Sequence, residues 1–225
     1  MIRLLTACAL ILSATGSAGA QTVVDQRAWL TVTMQGSVAQ HSPWRWSFDA
    51  IVRSRDGVSA LDVASLRPAL YYTLTSHSTL GGGYGFVLSY PAGGGVMTEH
   101  RIYGVYTWNH PAGGGTVSVR VRLEDRLIEG NSGPLWRFRP QVRFMCPIRS
   151  GSRLSLVAWE ELNLHLNTTT LRPRGVDQNR YFTGVAIAWS PRLRIEAGYL
   201  NQYIPGHGAA NGMNHIVSST LAMTF

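Results

Sequence analysis

The chain has 225 residues, of which 45% are hydrophobic and 14% charged, and its formal net charge is +8. The charged fraction is well below that of an ordinary soluble domain, and an aromatic content of 10% argues against intrinsic disorder. No segment beyond the N-terminus contains the roughly 20 consecutive apolar residues of a membrane-spanning helix, which excludes a helical membrane protein. These limits favour an all-β chain with enough apolar residues for one domain.

The N-terminus has the three parts of a secretory signal. Arg3 supplies the basic start, residues 4–12 form the apolar stretch, and Ala18-Gly19-Ala20 is a small-residue cleavage site. We therefore predict that Met1–Ala20 is a cleaved signal peptide and that residues 21–225 form a single mature domain.

Arginine alone carries the positive charge, because all 20 basic residues are Arg and none is Lys. A pI near 10.1 would suggest a nucleic-acid partner in a cytosolic protein. Because the chain is predicted to be exported, we expect no nucleic-acid partner, and the arginines alternate within predicted strands instead of forming one exposed run. Removal of Cys8 with the signal leaves Cys146 as a lone cysteine, which cannot form an intramolecular disulfide.

Alternation of polar and apolar residues is the dominant pattern, and it recurs in about eleven segments. The clearest run is residues 116–127, where Val and Leu alternate with Thr, Ser, Arg and Glu. A period of two indicates a strand with one polar and one apolar face. In chain order the predicted strands cover residues 28–35, 44–53, 66–75, 80–90, 98–109, 116–127, 136–144, 154–167, 180–189, 193–203 and 213–225.

The two faces favour a membrane barrel over a soluble sandwich. Segments of about ten residues match a tilted crossing of the hydrocarbon layer, and the chain ends on an alternating strand with Phe225. If that strand runs into the periplasm, Trp44, Trp108 and Trp189 fall at periplasmic strand ends. Trp136 falls at an outer end, so both interfaces carry aromatic residues. We predict an all-β, single up-and-down antiparallel transmembrane β-barrel of 10–12 strands in the bacterial outer membrane.

Two features of the sequence do not fit such a barrel directly, namely the count of eleven segments and the position of Glu160. Bacterial barrels have an even strand number with both ends of the chain in the periplasm, so we expect ten or twelve strands rather than eleven. Glu160, beside Glu161, would face lipid at a cost in free energy. We expect a β-bulge to turn Glu160 inward.

Polar and aromatic segments recur along the predicted strands. They are Glu99–Tyr103, Arg120–Arg126, Arg137–Arg139, Trp159–Asn163, Asn179–Gly184, Ala197–Gln202 and Asn214-His215. Together these segments, within a stretch from about Trp29 to Phe225, resemble the bacterial family called domain of unknown function 2490. The resemblance implies an outer-membrane β-barrel from a Gram-negative bacterium. It supplies no catalytic residue, because the family has no established activity.

Charged residues dominate the face that would point into the lumen. The predicted luminal cluster consists of Glu99, Arg101, Arg120, Arg122, Glu124, Arg126, Arg137, Arg139, Arg143, Glu161, Arg180 and Glu196. Arg45, Asp49, Arg53, Arg67 and Arg194 share that face.

Two interpretations of this cluster stay open. Cross-strand ion pairs would fill a narrow barrel, a role that suits arginine because its guanidinium pairs with carboxylates through two hydrogen bonds and keeps its charge. Alternatively, the excess of arginine over acidic residues would form an anion-preferring pathway or pocket. The interpretation we favour is a structural role or a narrow solute pathway.

A lipid- or lipopolysaccharide-modifying hydrolase is the alternative function. His215 and Ser219 share the apolar face of one strand, and His100 lies on the same face of another. Residues four apart on a strand are about 13 Å apart, too far for a direct hydrogen bond. We therefore name no catalytic residue and favour a non-enzymatic role. The seven His show no metal-ligand spacing, and we expect neither a metal nor a cofactor.

The expected partners follow from the predicted location. Arg172 and Arg174, in the longest outer connection, are candidates for pairing with lipopolysaccharide phosphates. Outer-membrane lipids and the outer-membrane assembly machinery complete the expected partners. The sequence does not determine the oligomeric state, nor whether the lumen is open.

Overall fold

The computed structural model describes residues 21–225, and these residues form eleven β-strands. The predicted signal peptide, Met1–Ala20, lies outside the described residues. The strands are β1 (Thr22–Ser37), β2 (Trp44–Arg55), β3 (Ala60–Thr75), β4 (Ser78–Ser89), β5 (Met97–Ala112), β6 (Gly115–Ile128), β7 (Leu135–Pro147), β8 (Leu154–His165), β9 (Gly175–Ala188), β10 (Leu193–Ile204) and β11 (Asn211–Thr224). No helix within residues 21–225 is long and apolar enough to cross a membrane.

The eleven strands close into one up-and-down barrel. Each strand pairs antiparallel with its neighbours in the chain, and β1 closes the barrel by pairing with β11. This closing ladder is parallel and runs from Thr22 opposite Asn211 to Gln35 opposite Thr224. The predicted class, an all-β barrel of 10–12 strands, is confirmed.

The expectation of an even strand number is wrong. Each of the eleven alternating segments is one strand, and with an odd number the first and last strands run in the same direction. A parallel ladder also pairs the backbone N–H and C=O groups of both edges, so the barrel closes without a free edge. As a consequence, β1 begins at one end of the barrel and β11 finishes at the other.

The two ends of the barrel differ in their connections. The end at which β11 finishes, the C-terminal end, carries the connections 38–43, 76–77, 113–114, 148–153 and 189–192. The N-terminal end, at which β1 begins, carries the connections 56–59, 90–96, 129–134, 166–174 and 205–210. Loops at the N-terminal end contact one another: Thr170 Oγ1 donates to Asn131 Oδ1 at 3.1 Å, and His207 Nε2 donates to the Val176 carbonyl at 2.9 Å. The longer connections therefore gather at the N-terminal end.

Side-chain polarity is inverted relative to a soluble protein. Inside the barrel, Glu124 and Glu161 are 1% and 2% exposed, whereas Val217 and Ile102 are 68% and 59% exposed on the outside. A soluble domain buries its aliphatic side chains and leaves Glu and Arg on its surface. The strand periodicity thus places the charges in the lumen and an apolar surface around it.

The exterior tryptophans lie near the two ends of the barrel. Toward the C-terminal end, Trp44 is the first residue of β2, Trp189 directly follows β9, and Trp108 lies four residues before the end of β5. Trp136 lies at the N-terminal end, one residue after β7 begins. All four indole rings are exposed to solvent. The exterior therefore has aromatic residues at both edges of its apolar surface.

Two facing glycines make room for an aromatic ring in the lumen. Gly184 of β9 pairs with Gly198 of β10. A Cβ added at either position would lie 2.8 Å from the ring of Phe182 and would meet the backbone of the opposite strand. Phe182 is 1% exposed. Its ring therefore packs directly over backbone, in space that any larger residue at 184 or 198 would occupy.

The structure corrects the expected bulge at Glu160. Glu160 pairs in regular register with Val142 and Tyr181, and its exposed side chain accepts a 3.0 Å hydrogen bond from Asn179 Nδ2 on the exterior. The β8–β9 ladder instead shifts register two residues before Asn179, at Asp177. The free-energy cost of placing the Glu160 carboxylate on the exterior is therefore reduced by its hydrogen bond from the Asn179 amide. The side chain does not turn inward.

Candidate functional site

Glu124 is the centre of the first group of luminal ion pairs. Its carboxylate accepts hydrogen bonds at 2.6 Å from Arg137 Nη2 and from Arg139 Nη1. Arg122, on the same strand as Glu124, approaches it only to 3.7 Å. These four side chains alternate along β6 and β7 and therefore point into the lumen together.

Glu161 of β8 is the centre of the second group. Arg120 Nη2 and Arg139 Nη2 donate to its two oxygens at 2.6 and 2.7 Å, and Arg180 Nη1 donates at 3.3 Å. Since Arg139 also binds Glu124, it joins the two groups into one. A carboxylate with three guanidinium partners offsets a large part of its own desolvation cost.

A third group lies closest to the N-terminal end. Arg126 and Arg101 each donate two hydrogen bonds to Glu99, so one carboxylate is shared by two guanidinium groups. Arg126 Nη1 also donates to His165 Nε2 at 3.2 Å, and Asp177 lies 3.3 Å from Arg137. The three groups form the ion-pair network, whose members are Glu99, Arg101, Arg120, Arg122, Glu124, Arg126, Arg137, Arg139, Glu161, His165, Asp177 and Arg180.

The ion-pair network and apolar side chains close the N-terminal half of the lumen. Leu135 and Val87 are 0% exposed, and Ile128 and His165 are also buried, although all four lie within two residues of strand ends. The connections at this end pack over them. The described lumen therefore has no wide opening at the N-terminal end.

The C-terminal half of the lumen contains a cavity of about 530 Å³. Its polar wall carries eight arginines and two glutamates, which are Arg53, Arg67, Arg120, Arg122, Arg139, Arg143, Arg180, Arg194, Glu161 and Glu196. Its apolar wall includes Trp29, Ile51, Met145, Trp159, Phe182 and Leu200. The cavity reaches the C-terminal rim, because Thr116 and Ala222 line it two positions or fewer from the ends of their strands. This luminal cavity is the candidate functional site.

All twelve members of the predicted luminal cluster lie on the inner face of the barrel. Ten of them belong to the ion-pair network, and the remaining two, Arg143 and Glu196, bind each other at the C-terminal half, where Nη1 donates to Oε1 at 3.1 Å. The cluster is thus divided between the closed half and the luminal cavity. Sequence periodicity indicates the face but not this division.

Sequence analysis missed several members of the polar interior. Asp177 fell in a predicted loop, because β9 begins at Gly175 and not at residue 180 as expected. Gln178, Gln202 and Asn214 form an amide chain beside Arg180, with Asn214 Nδ2 donating to Gln202 Oε1 at 2.9 Å. The available signal was spacing: Gln178 is two residues from Arg180 and Gln202 six residues from Glu196, so each shares the inner face of its strand.

Arg172 and Arg174 lie apart from the lumen. Both are exposed in the connection 166–174, the longest at the N-terminal end. Among residues 21–225, their guanidinium groups form no ion pair within the chain. The two side chains are thus available to a ligand outside the barrel.

His100 and His215, on the exterior, are each hydrogen-bonded to a tyrosine. Tyr84 is hydrogen-bonded to His100 Nδ1, and Tyr199 is hydrogen-bonded to His215 Nδ1 at 2.5 Å. Ser219 forms no hydrogen bond with His215 in the described structure. Each histidine ring therefore has a phenol at Nδ1, where a serine hydrolase has a carboxylate, and in the described structure neither ring is hydrogen-bonded to a serine.

Metal ligands do not gather in the described part of the chain. Within residues 21–225, no three His, Cys, Asp or Glu side chains are placed to hold a metal ion together. Cys146 is a free thiol on β7.

Comparison with known proteins gives two matches. The model of the family described as protein of unknown function, DUF2490, matches residues 26–214. An uncharacterized protein of Methylorubrum extorquens is 29% identical over 99% of this chain and 98% of its own length. No solved structure matches the chain. The match to the relative extends over all eleven strands.

Proposed function

The chain belongs to the family described as protein of unknown function, DUF2490, and we propose that it is an integral β-barrel of the bacterial outer membrane. The observation that carries this proposal is the inverted polarity, with Glu124 and Glu161 buried inside and large aliphatic side chains exposed all around the outside. In water, an apolar surface that surrounds the whole barrel would drive aggregation, whereas in a bilayer it is solvated by lipid.

The ends of the barrel support one orientation in the membrane. Outer-membrane barrels have short periplasmic turns and longer outer loops. The C-terminal end has the two-residue turns 76–77 and 113–114, whereas the N-terminal end has the nine-residue connection 166–174. We therefore assign the C-terminal end to the periplasm. The tryptophans near both ends fit the two membrane interfaces.

Cysteine labelling tests the location and the orientation together. Cys146 is first replaced by Ser, and single cysteines are then introduced by Thr170→Cys at the N-terminal end and Gly114→Cys at the C-terminal end. We expect a membrane-impermeant maleimide to label intact cells at 170 and to label 114 only after the outer membrane is permeabilised. Labelling of 114 alone in intact cells would reverse the orientation. Recovery of the protein in the soluble fraction would refute the membrane location.

Within this barrel we propose that the ion-pair network is structural and leaves at most a narrow, anion-preferring passage. The N-terminal half is filled by paired side chains, and the interior arginines outnumber the acidic residues. Planar-bilayer recordings of the purified protein test this. We expect no large steady current, and anion preference in whatever current flows, with the preference reduced by Arg122→Ala. A large non-selective current would contradict the proposal.

We also propose contacts between the outer loops and lipopolysaccharide. The exposed Arg172 and Arg174 are placed to pair with lipopolysaccharide phosphates at the outer face, and the assembly machinery of the outer membrane would fold the chain. The hydrolase alternative has weaker support, because in the described structure no serine or carboxylate is hydrogen-bonded to His100 or His215. A phospholipase assay of the wild type and of His215→Ala separates the two functions: activity lost in the variant would restore the hydrolase.

A further inference from the structure

The luminal cavity has an excess of positive charge that the chain itself does not neutralise. Eight arginines and two glutamates line it. Both glutamates are already occupied: Glu161 accepts hydrogen bonds from three arginines, and Glu196 is paired with Arg143. Arg67 is paired with Asp49 and Arg122 reaches Glu124 only at 3.7 Å, whereas Arg53 and Arg194 have no carboxylate partner within residues 21–225.

Arg122 is the clearest of these groups. Its side chain is 6% exposed, yet within residues 21–225 it forms no hydrogen bond, and Nε is buried without a partner. The nearest carboxylate oxygen, Glu124 Oε1, is 3.7 Å away and already accepts a 2.6 Å hydrogen bond from Arg139. The guanidinium lies over the ring of Tyr103, 4.3 Å from its centroid. This stacking holds the plane of the group while its N–H donors stay free.

Arg53 repeats the arrangement on another strand. Its guanidinium lies 4.1 Å from the centroid of Trp29, and Nε is buried without a partner. In the described part of the chain it takes part in no ion pair. Arg53 and Arg122 both line the luminal cavity, so two stacked guanidinium groups without a hydrogen-bonded carboxylate face the same space.

Other buried arginines of the lumen, in contrast, are hydrogen-bonded to a carboxylate. Arg126 holds Glu99 through two hydrogen bonds, and Arg137 holds Glu124 in the same way. A buried charge without a partner is strongly unfavourable. Arg53 and Arg122, which lack a hydrogen-bonded carboxylate, line the cavity wall, where a small anion could approach their N–H groups.

Part of the cavity wall is apolar. The rings of Trp159 and Phe182 are stacked, with centroids 5.3 Å apart and planes 13° from parallel. Phe182, Trp29 and Leu200 belong to one buried apolar cluster. An aromatic or short aliphatic group would bury apolar area against this wall without losing hydrogen bonds.

The size and opening of the cavity limit the ligand. A volume of about 530 Å³ lies within the usual range of small-molecule sites. The cavity reaches the C-terminal rim, while the N-terminal half is closed by the ion-pair network. A ligand would therefore enter from the C-terminal end.

We infer that the luminal cavity binds a small amphipathic anion, whose carboxylate or phosphate is bound by Arg53 and Arg122 and whose apolar part packs against Trp159 and Phe182. The inference extends the proposed function by naming a ligand class for the lumen. It rests on that proposal only in requiring a folded barrel, since binding needs neither conduction nor passage across the barrel.

Calorimetric titration of the purified, detergent-folded protein tests the inference. The probes are 1-naphthoate, its neutral isostere 1-naphthamide, 1-naphthyl phosphate, and the simple anions acetate and inorganic phosphate. We expect the two naphthyl anions to bind at least tenfold more tightly than naphthamide and than either simple anion. Equal binding of naphthamide would overturn the role of the arginines. Equal binding of inorganic phosphate would overturn the amphipathic class.

Matched variants locate the site. Arg122→Gln and Arg53→Gln should each weaken naphthoate binding at least tenfold, because each removes a charged donor. Arg172→Gln makes the same chemical change on an exposed loop and should leave the Kd unchanged. Wild-type affinity in both luminal variants would overturn the assignment. If either variant fails to fold, comparing naphthoate with naphthamide binding in the wild type still tests whether the cavity requires an anionic ligand. Cell fractionation tests the membrane location independently of the titration, so a wrong location and a wrong binding site give different results.

Discussion

Arg139 and Glu161 form a buried ion pair between β7 and β8, with Nη2 donating to Oε1 at 2.7 Å and side-chain exposures of 7% and 2%. The same carboxylate holds Arg120 and Arg180. Glu161→Gln would leave Arg120 and Arg180 without a charged partner and would leave Arg139 with Glu124 alone. We expect the free energy of unfolding to fall by about 3–5 kcal/mol, the usual result of breaking a buried pair from one side. Urea unfolding of the detergent-folded protein, followed by tryptophan fluorescence, measures this.

The adjacent residue provides the control. Glu160→Gln makes the same change on the exterior, where the side chain is exposed and bonded only to Asn179. We expect a change of about 1 kcal/mol or less, because an exposed polar contact contributes little. Equal effects at 160 and 161 would contradict the division between a charged interior and an apolar exterior.

Arg143 and Glu196 form an ion pair that is separate from the ion-pair network. Neither side chain has another charged partner among residues 21–225. We expect Arg143→Gln and Glu196→Gln to be non-additive in a double-mutant cycle, with a coupling energy of about 1–2 kcal/mol. The unfolding free energies of wild type, both single variants and the double variant give this coupling. Strict additivity would mean that the pair is absent in solution.

Gly184 is expected to tolerate no side chain. A Cβ there would lie 2.8 Å from the Phe182 ring and would meet the backbone of β10. Gly184→Ala should lower the free energy of unfolding by about 1–3 kcal/mol, since overpacking forces the backbone to shift. Gly133→Ala is the control, because nothing lies within 4 Å of its added Cβ. An unaffected Gly184→Ala protein would argue against the close β9–β10 contact.

The parallel closure of the barrel predicts a specific cross-link. Leu30 of β1 lies opposite Ser219 of β11 on the exterior face. Cysteines at both positions, in a Cys146→Ser background, should form a disulfide on mild oxidation, because neighbouring strands are about 4.8 Å apart. Cysteines at Leu30 and Met223 are four residues out of register and should not cross-link. The reverse result would indicate an antiparallel closure with another strand number.

Strand existence and side-chain direction were predictable from the sequence because both depend on local alternation. All eleven alternating segments are strands, and each member of the predicted luminal cluster points inward. The general rule of an even strand number does not hold for this chain, whereas the count of alternating segments gives the eleven strands correctly. Strand ends were less predictable: β9 begins five residues before the predicted start, which is how Asp177 was missed.

The partners of each charge could not be predicted in the same way. Arg139 is close to Glu124 through the β6–β7 register, but its contact with Glu161 depends on the β7–β8 register as well. Arg122 lies two residues from Glu124 in the same strand and yet forms no hydrogen bond with it, because Arg137 and Arg139 occupy that carboxylate. Which arginines reach a given carboxylate depends on distances across the closed lumen. These distances cannot be read from the order of residues in the chain.

The sequence by itself determined that the chain alternates between polar and apolar residues in eleven strands, and hence which side chains share a face. A period of two acts over neighbouring residues only, so it needs no knowledge of the rest of the fold. The tertiary structure decided the parallel closure of β1 on β11, the filling of one half of the lumen and the cavity in the other. These depend on register and on distances across the barrel, where residues far apart in the chain compete for the same hydrogen bonds.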